Sequence, residues 1–170
     1  MKTEWLLGLL AAGVAFLLLG SVAGRPGGIV VVGDSLGLGV GPAMKRLGVQ
    51  NVRVLAIKGT RASWWAEGTR WEEALRGART AVVSLGSNDI AGKKSPWSTL
   101  QALDTRARKL GVRVLWLVPS TDLWSDQTAV VPGEAISLVG AEQAPDGVHL
   151  TARGYAHAAQ LVQNRLGISA

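Results

Sequence analysis

From residue 29 onward, short runs rich in valine, leucine and isoleucine alternate with longer segments whose apolar residues recur at helical spacing. The runs have the length and composition of strands, and the segments between them are long enough to form crossover helices. This alternation is typical of a parallel sheet covered by helices on both faces. The sequence therefore predicts an α/β fold of three layers, α/β/α, with a flavodoxin-like parallel sheet of about five strands. The predicted strands are residues 29–32, 52–57, 81–85, 112–118 and 135–139.

Four segments are predicted to be helices, and two of them carry clear end signals. One has Ser95 as its N-cap, Pro96 at its first position and Gly111 just after its end. The last helix begins after Thr151. Residues 123–134 lack an apolar stripe, so the crossover there is predicted to be short or replaced by a loop. The predicted helices are residues 36–47, 64–76, 96–110 and 152–166.

The chain of 170 residues has the usual length of one domain, but its N-terminal segment has a different character. Residues 6–23 form an uncharged apolar run, and the small residues at 21–23 offer a site for a signal peptidase. An uncleaved membrane anchor is the alternative, because the run approaches the roughly 20 residues that span a bilayer. We therefore expect an extracytoplasmic protein, secreted, periplasmic or anchored to a membrane. The expected parts are a signal or anchor at 1–23, a short linker at 24–28 and one domain at 29–170.

Composition excludes several classes of function. The net charge of +6 is carried by scattered Lys and Arg residues rather than by one stripe, which argues against a nucleic-acid partner. The chain has no cysteine, and this rules out a disulfide scaffold, a thiol nucleophile and a Cys-ligated metal. The two histidines and the carboxylates show no metal-ligand spacing. No metal and no cofactor are therefore predicted.

Glycine and polar residues follow four of the predicted strands. In open parallel sheets the ligand site lies beyond the carboxyl ends of the strands. We therefore expect these residues to converge on one crevice, which is where any chemistry should occur. They are residues 33–35, 58–60, 86–89 and 119–122.

A serine in this crevice has a candidate base. A serine hydroxyl is a poor nucleophile unless a base takes its proton and a third group orients that base. His149 stands three residues after Asp146, and Gly147 between them permits a tight turn that would bring the carboxylate to Nδ1. Nε2 would then face the crevice, where Ser35 lies at a strand-to-helix turn. His157 lies within the last helix and is interpreted as an ordinary surface or packed histidine.

Four short blocks follow one another along the chain: VGDSL at residues 32–36, IKGT at 57–60, LGSND at 85–89 and DGVHL at 146–150. In content and order they resemble the four signature blocks of the SGNH or GDSL family of serine esterases and lipases. Together they span nearly all of the chain after the apolar run, and they imply the SGNH hydrolase fold. Two departures concern the shape of the pocket: residues 119–146 are compressed, and the glycine block lacks a second glycine or serine.

The resemblance also implies a role for each matching residue. Ser35 would be the nucleophile and, through its backbone N–H, one donor of the oxyanion hole. Gly59 would supply a second backbone donor and Asn88 a side-chain donor. His149 would be the base and Asp146 its orienting partner.

The glycine-rich turn after the first strand has two other interpretations. Residues 33–37 fit the Gly-x-Ser-x-Gly elbow of α/β-hydrolases, but here the serine follows the first strand and no His-Gly-Gly-Gly-type loop precedes it. Residues 37–41 lack the Gly-x-Gly-x-x-Gly spacing of a dinucleotide site, and no acidic residue ends the second strand. Asp34 and Asp89 are interpreted as structural residues that bond loop backbone around the site.

Tryptophan is over-used in the predicted domain. Trp64, Trp71 and Leu75 share one helical face and are predicted to be core, as is Trp116 in mid-strand. Three other tryptophans lie off that face or after crevice loops, and they could line the crevice as a platform for a sugar or an acyl group. They are Trp65, Trp97 and Trp124.

The function predicted from the sequence is hydrolysis of carboxylic esters by a Ser-His-Asp mechanism. We expect short acyl groups, acetyl first, on carbohydrate or cell-envelope substrates, because the compressed stretch 123–145 leaves little chain to roof a long apolar trench. The partners expected are a small-molecule or polymeric ester and, through residues 6–23, a membrane. The alternatives are a lipase or lysophospholipase, an acyltransferase with the same site, and a non-catalytic glycan-binding module.

Overall fold

A computed structural model describes residues 27–119 and 131–168 of the chain. Strands and helices alternate through most of this part, as the sequence pattern predicts. The elements in chain order are β1 (Gly28–Gly33), α1 (Ser35–Arg46), β2 (Val52–Ala56), α2 (Ala62–Ala66), α3 (Arg70–Leu75), β3 (Ala78–Ser84), α4 (Ser87–Ala91), α5 (Trp97–Lys109), β4 (Arg113–Val118), β5 (Glu134–Ser137) and α6 (Ala152–Leu166).

The five strands form one sheet in the order β2-β1-β3-β4-β5, and every neighbouring pair is parallel. This is the flavodoxin-like order, in which the carboxyl ends of neighbouring strands form a crevice where the strand order reverses. The reversal lies at β1, between β2 and β3. The prediction of a three-layer α/β/α fold is confirmed.

Alternate side chains of the strands pack in two separate hydrophobic cores, one on each face of the sheet, because successive side chains of a strand point to opposite faces. Val30 and Val32 pack in one cluster with residues of α2, α3 and α5. Val31 packs in the other cluster with residues of α1 and α6. The three central strands, β1, β3 and β4, are buried on both faces over most of their length, so their sequences are continuous apolar runs.

The predicted helix at 64–76 is wrong in one respect, because it is two helices. Gly68 adopts a φ of +55° between α2 and α3, and Glu67 has an extended conformation. This break changes the register between the tryptophans on either side of it. Trp65, predicted to point off the core toward the crevice, is only 2% exposed and packs in the core, whereas Trp64 is half-buried. Trp71 is buried as predicted.

Of the other tryptophans in the predicted domain, two pack in or against the core and one lies outside the described residues. Trp116 is buried in β4, as predicted. Trp97 is half-buried at the start of α5 and packs against the same core cluster as Trp65. Trp124 lies outside the described residues, as do the predicted signal or anchor at 1–23 and most of the 123–134 crossover.

The glycines of α1 serve close packing. A Cβ on Gly41 would lie 2.4 Å from a methyl carbon of Val54, and one on Gly39 would lie 2.2 Å from the ring of Tyr155. Only glycine lets α1 approach β2 and α6 this closely. The glycine-rich run thus has a packing explanation that requires no phosphate ligand.

Within the described ranges, 27–119 and 131–168, no helix has both the length and the apolar character needed to cross a bilayer.

Candidate active site

Ser35 stands at the carboxyl end of β1, where the strand turns directly into α1. Gly33 makes the turn possible: its φ is +147°, and a Cβ there would lie 2.1 Å from the carbonyl oxygen of Ser84. Asp34 is the N-cap of α1, and its side chain accepts a hydrogen bond from the backbone N–H of Leu36. The cap fixes the first turn of the helix, so the position of Ser35 is set by strand, turn and helix together.

His149 is held by the loop that precedes α6. Gly147 has a φ of +67°, and Asp146 folds back over this turn to accept from the backbone N–H groups of Val148 at 3.0 Å and His149 at 2.9 Å. The carbonyl of His149 accepts from the N–H of Ala144 at 2.8 Å. The spacing of three residues between the carboxylate and the imidazole is thus the spacing of a closed turn.

The structure brings Ser35, His149 and Asp146 into one hydrogen-bonded chain. Asp146 Oδ2 lies 2.6 Å from His149 Nδ1, and His149 Nε2 lies 3.0 Å from Ser35 Oγ. An ionised carboxylate only accepts, so Nδ1 carries a proton and Nε2 presents its lone pair to the serine hydroxyl. The imidazole hydrogen bond and the two backbone N–H groups hold the pKa of Asp146 well below its usual range.

Gly59 lies in the loop after β2 and Asn88 in the short helix α4, and Asn88 contacts the serine turn at Asp34. The Asn88 amide donates to the carbonyl of Thr60 at 3.0 Å and to Asp34 Oδ2 at 3.3 Å. Gly59 is exposed in the loop after β2, with a φ of +77°. Asn88 is therefore near the serine turn, but both of its N–H groups have protein acceptors, of which Asp34 is the more distant.

Asp34 is at the centre of a buried network beneath the site. Besides Leu36 and Asn88 it accepts from Ser84 Oγ at 3.0 Å, and Ser84 Oγ in turn accepts from the N–H of Gly37 at 2.9 Å. Burial raises the pKa of Asp34 to about 6, against the hydrogen bonds that lower it. These contacts agree with the structural role expected for Asp34.

Asp89 connects α4 to the start of α2. It is buried, and its Oδ2 accepts from the backbone N–H of Ala62 at 2.9 Å, at the start of α2. The expected structural role again matches the observed contact.

The sequence predicts no role for Ser84, and it places Thr60 at the crevice without assigning its contacts. Ser84 links Asp34 to α1, and Thr60 accepts from the Trp65 indole N–H at 3.2 Å while its hydroxyl donates to the carbonyl of Ile57. A polar residue at a strand end is common, and only the contact with a neighbouring loop reveals what it does.

Among residues 27–119 and 131–168, no group of three or more His, Cys, Asp or Glu side chains is arranged to hold a metal ion.

No family model and no curated protein sequence matches the chain. Solved structures do match it. A GDSL-like lipase from Bacteroides thetaiotaomicron superposes with a TM-score of 0.74 at 13% identity, over 91% of this chain and 96% of the lipase. A variant of an acetyl xylan esterase from Geobacillus stearothermophilus superposes with a TM-score of 0.62 at 14% identity, over 86% of this chain and 97% of the esterase. At such low identity these similarities show the fold, and the fold is that of the SGNH/GDSL hydrolases.

Proposed function

We propose that this chain, which has the SGNH/GDSL hydrolase fold, is a serine hydrolase of carboxylic esters. The observation that carries the proposal is the continuous hydrogen-bonded chain from Asp146 through His149 to Ser35, at the carboxyl edge of the sheet. A neutral imidazole with its lone pair on a serine hydroxyl is the arrangement that activates serine for attack on an acyl carbon.

The reaction follows from the positions of the protons. As Ser35 Oγ bonds to the ester carbonyl carbon, its proton moves to His149 Nε2, and the imidazolium is stabilised by the ionised Asp146. Nε2 then gives that proton to the departing alcohol oxygen, which leaves an acyl group on Ser35. A water molecule loses a proton to Nε2 and attacks the acyl carbon, and Ser35 recovers its proton as the carboxylic acid departs.

The developing oxyanion needs donors, and we propose the backbone N–H groups of Ser35 and Gly59 with the Asn88 amide. The first-turn N–H groups of a helix have no intrahelical acceptor, which makes the Ser35 N–H suitable. Asn88 would act by exchanging its 3.3 Å bond to Asp34 for the oxyanion while it keeps its 3.0 Å bond to Thr60.

We propose an acetyl ester of a carbohydrate or envelope polymer as the substrate. The support is the openness of the site, since the side chains of His149 and Asp146 are 33% and 52% exposed, and the likeness to an acetyl xylan esterase. An open site gains little from a long acyl chain, because each methylene contributes about 0.8 kcal/mol only when it leaves water. Trp65 gives no support, because it is buried in the core.

A lipase is the second candidate, and exposed apolar side chains favour it. Leu38 stands one helical turn after Ser35 and is 43% exposed, and Val148 precedes His149 and is 48% exposed. Both could contact an acyl chain. The ratio of kcat/KM for acetyl and octanoyl esters of one alcohol separates the candidates: the acetyl proposal requires a ratio above one, and a clear octanoyl preference supports the lipase.

We also propose that the enzyme acts outside the cytoplasm, because the small residues at 21–23 follow an apolar run. Mass spectrometry of the protein expressed in a bacterial host tests this. A mature N-terminus at residue 24 supports export with cleavage, and an intact Met1 in the membrane fraction supports the anchor. An intact soluble protein would contradict both.

The activity itself is tested with a fluorophosphonate, which labels an activated serine covalently. We expect one adduct, on the peptide that contains Ser35, and none in Ser35→Ala. The labelled protein should lose hydrolysis of para-nitrophenyl acetate in proportion to labelling. Hydrolysis that survives complete labelling would refute the assignment of the nucleophile. A labelled Ser35 without hydrolysis of any ester, but with acyl transfer to an added alcohol, would identify an acyltransferase.

A further inference from the structure

Four cations border the candidate oxyanion donors. Lys58 and Arg61 flank Gly59 in the loop after β2, and Lys93 and Lys94 follow α4, which carries Asn88. All four side chains are exposed. The two segments that would stabilise the reacting oxygen are therefore also the segments that bring positive charge to the site.

Two hydrogen bonds hold these segments together, and one side chain reaches from the first to the second. Asn88 donates to the Thr60 carbonyl at 3.0 Å, and Asp89 accepts from the Ala62 N–H at 2.9 Å. Arg61 crosses from one loop to the other: its Nη2 lies 2.9 Å from where a Cβ on Gly92 would stand. The four cations therefore lie on two adjoining segments, those that carry Gly59 and Asn88, and together we call them the cationic wall: Lys58, Arg61, Lys93 and Lys94.

The two segments of the cationic wall contribute few carboxylates of their own. Residues 57–61 and 86–95 contain one acidic residue, Asp89, which is buried and bound to backbone. Within the described part of the chain none of the four cations forms an ion pair, whereas Arg106 pairs with Glu72 and Arg113 with Glu134. Unpaired cations beside a cleft raise the local concentration of anions and attract them from a distance.

We propose that the cationic wall binds a negatively charged group of the substrate, so that the preferred esters carry a carboxylate or phosphate in their acyl or alcohol part. This inference rests on the proposed esterase activity and narrows its substrate class. The attraction is expected to weaken with ionic strength, because exposed charges are screened over about 8 Å at physiological salt.

Two matched pairs of esters test the proposal. Para-acetoxybenzoate and its methyl ester differ by one negative charge on the alcohol side, and mono-para-nitrophenyl terephthalate and its methyl ester differ by one on the acyl side. The para geometry prevents the carboxylate from attacking its own ester. For each pair, the ratio of kcat/KM for the anionic and neutral esters is measured at low and at high salt.

The test variant is Lys58→Gln with Lys93→Asn and Lys94→Gln. Asparagine is chosen at Lys93 because that residue has a φ of +57°, which asparagine tolerates well. The control removes three exposed cations elsewhere, Lys45→Gln, Arg46→Gln and Lys109→Gln, which lie at helix ends away from the strands' carboxyl edge. Both variants lose the same charge, so only position distinguishes them.

In at least one pair of esters, the ratio of kcat/KM for the anionic and neutral esters should fall about tenfold in the test variant. Three cations are removed, and each exposed ion pair contributes up to about fivefold. The ratio should stay unchanged in the control and shrink with salt in the wild type. Equal ratios in the test and control variants would overturn the proposal. So would a test variant that loses binding to anionic lipid vesicles but keeps its ratio, because the wall would then dock a membrane.

Calorimetric binding of terephthalate to the wild type and both variants measures the cationic wall without turnover. If no ester is hydrolysed but terephthalate binding depends on the wall, the esterase proposal fails while the anion site stands. If esters are hydrolysed and terephthalate binds all three proteins equally, the anion site fails alone.

Discussion

Asp146 binds His149 with both of its carboxylate oxygens, Oδ2 to the imidazole Nδ1 at 2.6 Å and Oδ1 to the backbone N–H at 2.9 Å. One oxygen orients the ring and the other closes the turn that carries it. The carboxylate can serve both because it accepts hydrogen bonds at each oxygen. An amide of the same shape has only one accepting atom.

Asp146→Asn can accept at only one of the two positions, so it should either lose the hydrogen bond from the backbone N–H or reverse the one with Nδ1. If its oxygen faces the backbone, its NH₂ faces Nδ1 and favours the wrong tautomer, which leaves Nε2 protonated toward Ser35. We expect kcat for para-nitrophenyl acetate to fall by about 10²–10⁴ with a smaller change in KM. The thermal unfolding temperature of the variant shows whether the Asp146 turn still contributes to stability. A variant with full kcat would show that Asp146 only shapes the loop.

The two histidines offer a matched pair. His149→Ala removes the group that lies 3.0 Å from Ser35 Oγ, whereas His157 is exposed on α6. We expect the loss of kcat in His149→Ala to approach that in Ser35→Ala, and His157→Ala to retain wild-type kcat. Circular dichroism should show all three variants folded. If His157→Ala loses activity and His149→Ala keeps it, the assignment of the base is wrong.

Asn88 is predicted to act on the oxyanion in addition to bridging two loops. Asn88→Ala should lower kcat by about 10²–10³, with a smaller change in KM, because the oxyanion exists only in the transition state. Since the variant also loses the hydrogen bond to Thr60, the free energy of unfolding is measured alongside. A change in KM alone would make Asn88 a binding residue.

Much of this arrangement could be predicted because it is local. The turn from β1 into α1 and the Asp146 turn are each encoded within a few neighbouring residues, and the parallel sheet brings strand ends together wherever it forms. The hydrogen bond between Ser35 and His149 joins residues 114 positions apart. It could still be predicted, because the two local turns present these side chains at the same edge of the sheet.

The sequence-based predictions are wrong where a helical pattern of apolar residues continues across a break in the helix. The helical face of Trp71 predicts a buried Trp64 only if one helix continues through Gly68. The left-handed conformation of Gly68 separates two helices instead, and Trp65 is buried while Trp64 is half-buried. Helix α4 has no signal in the sequence, because its five residues, Ser87–Ala91, are too few to show a helical period. The contacts of Ser84 depend on tertiary packing, which no local pattern reports.

The pH dependence of stability should report on Asp34. Burial raises its pKa from 3.8 to about 6, so the folded protein holds this proton more tightly than the unfolded chain does. Its stabilising contribution is present below about pH 4 and is lost as the pH rises through about 6. In Asp34→Asn, which cannot titrate there, that loss should be absent.

The measurement is the urea-unfolding free energy of both proteins at several pH values. Between about pH 4 and 7 the wild type should lose roughly 2 kcal/mol relative to the variant. The pKa of Asp146 is shifted downward, so its contribution is lost only as the pH falls below its ordinary value, outside this window. Parallel curves for the two proteins would contradict a raised pKa of Asp34.

Helices α1 and α6, which begin at Ser35 and shortly after His149, are in contact at Gly39. A substitution of Gly39 tests this contact. Glycine to alanine within a helix ordinarily stabilises by about 1 kcal/mol. Here the new Cβ would lie 2.2 Å from the ring of Tyr155, and overpacking of this kind costs about 1–3 kcal/mol. Gly39→Ala should therefore lower the free energy of unfolding in urea. In a Tyr155→Leu background, where the ring is gone, the same change should cost less or stabilise, and the difference is the coupling between the helices. A Gly39→Ala protein more stable than the wild type would show that the two helices are not in close contact.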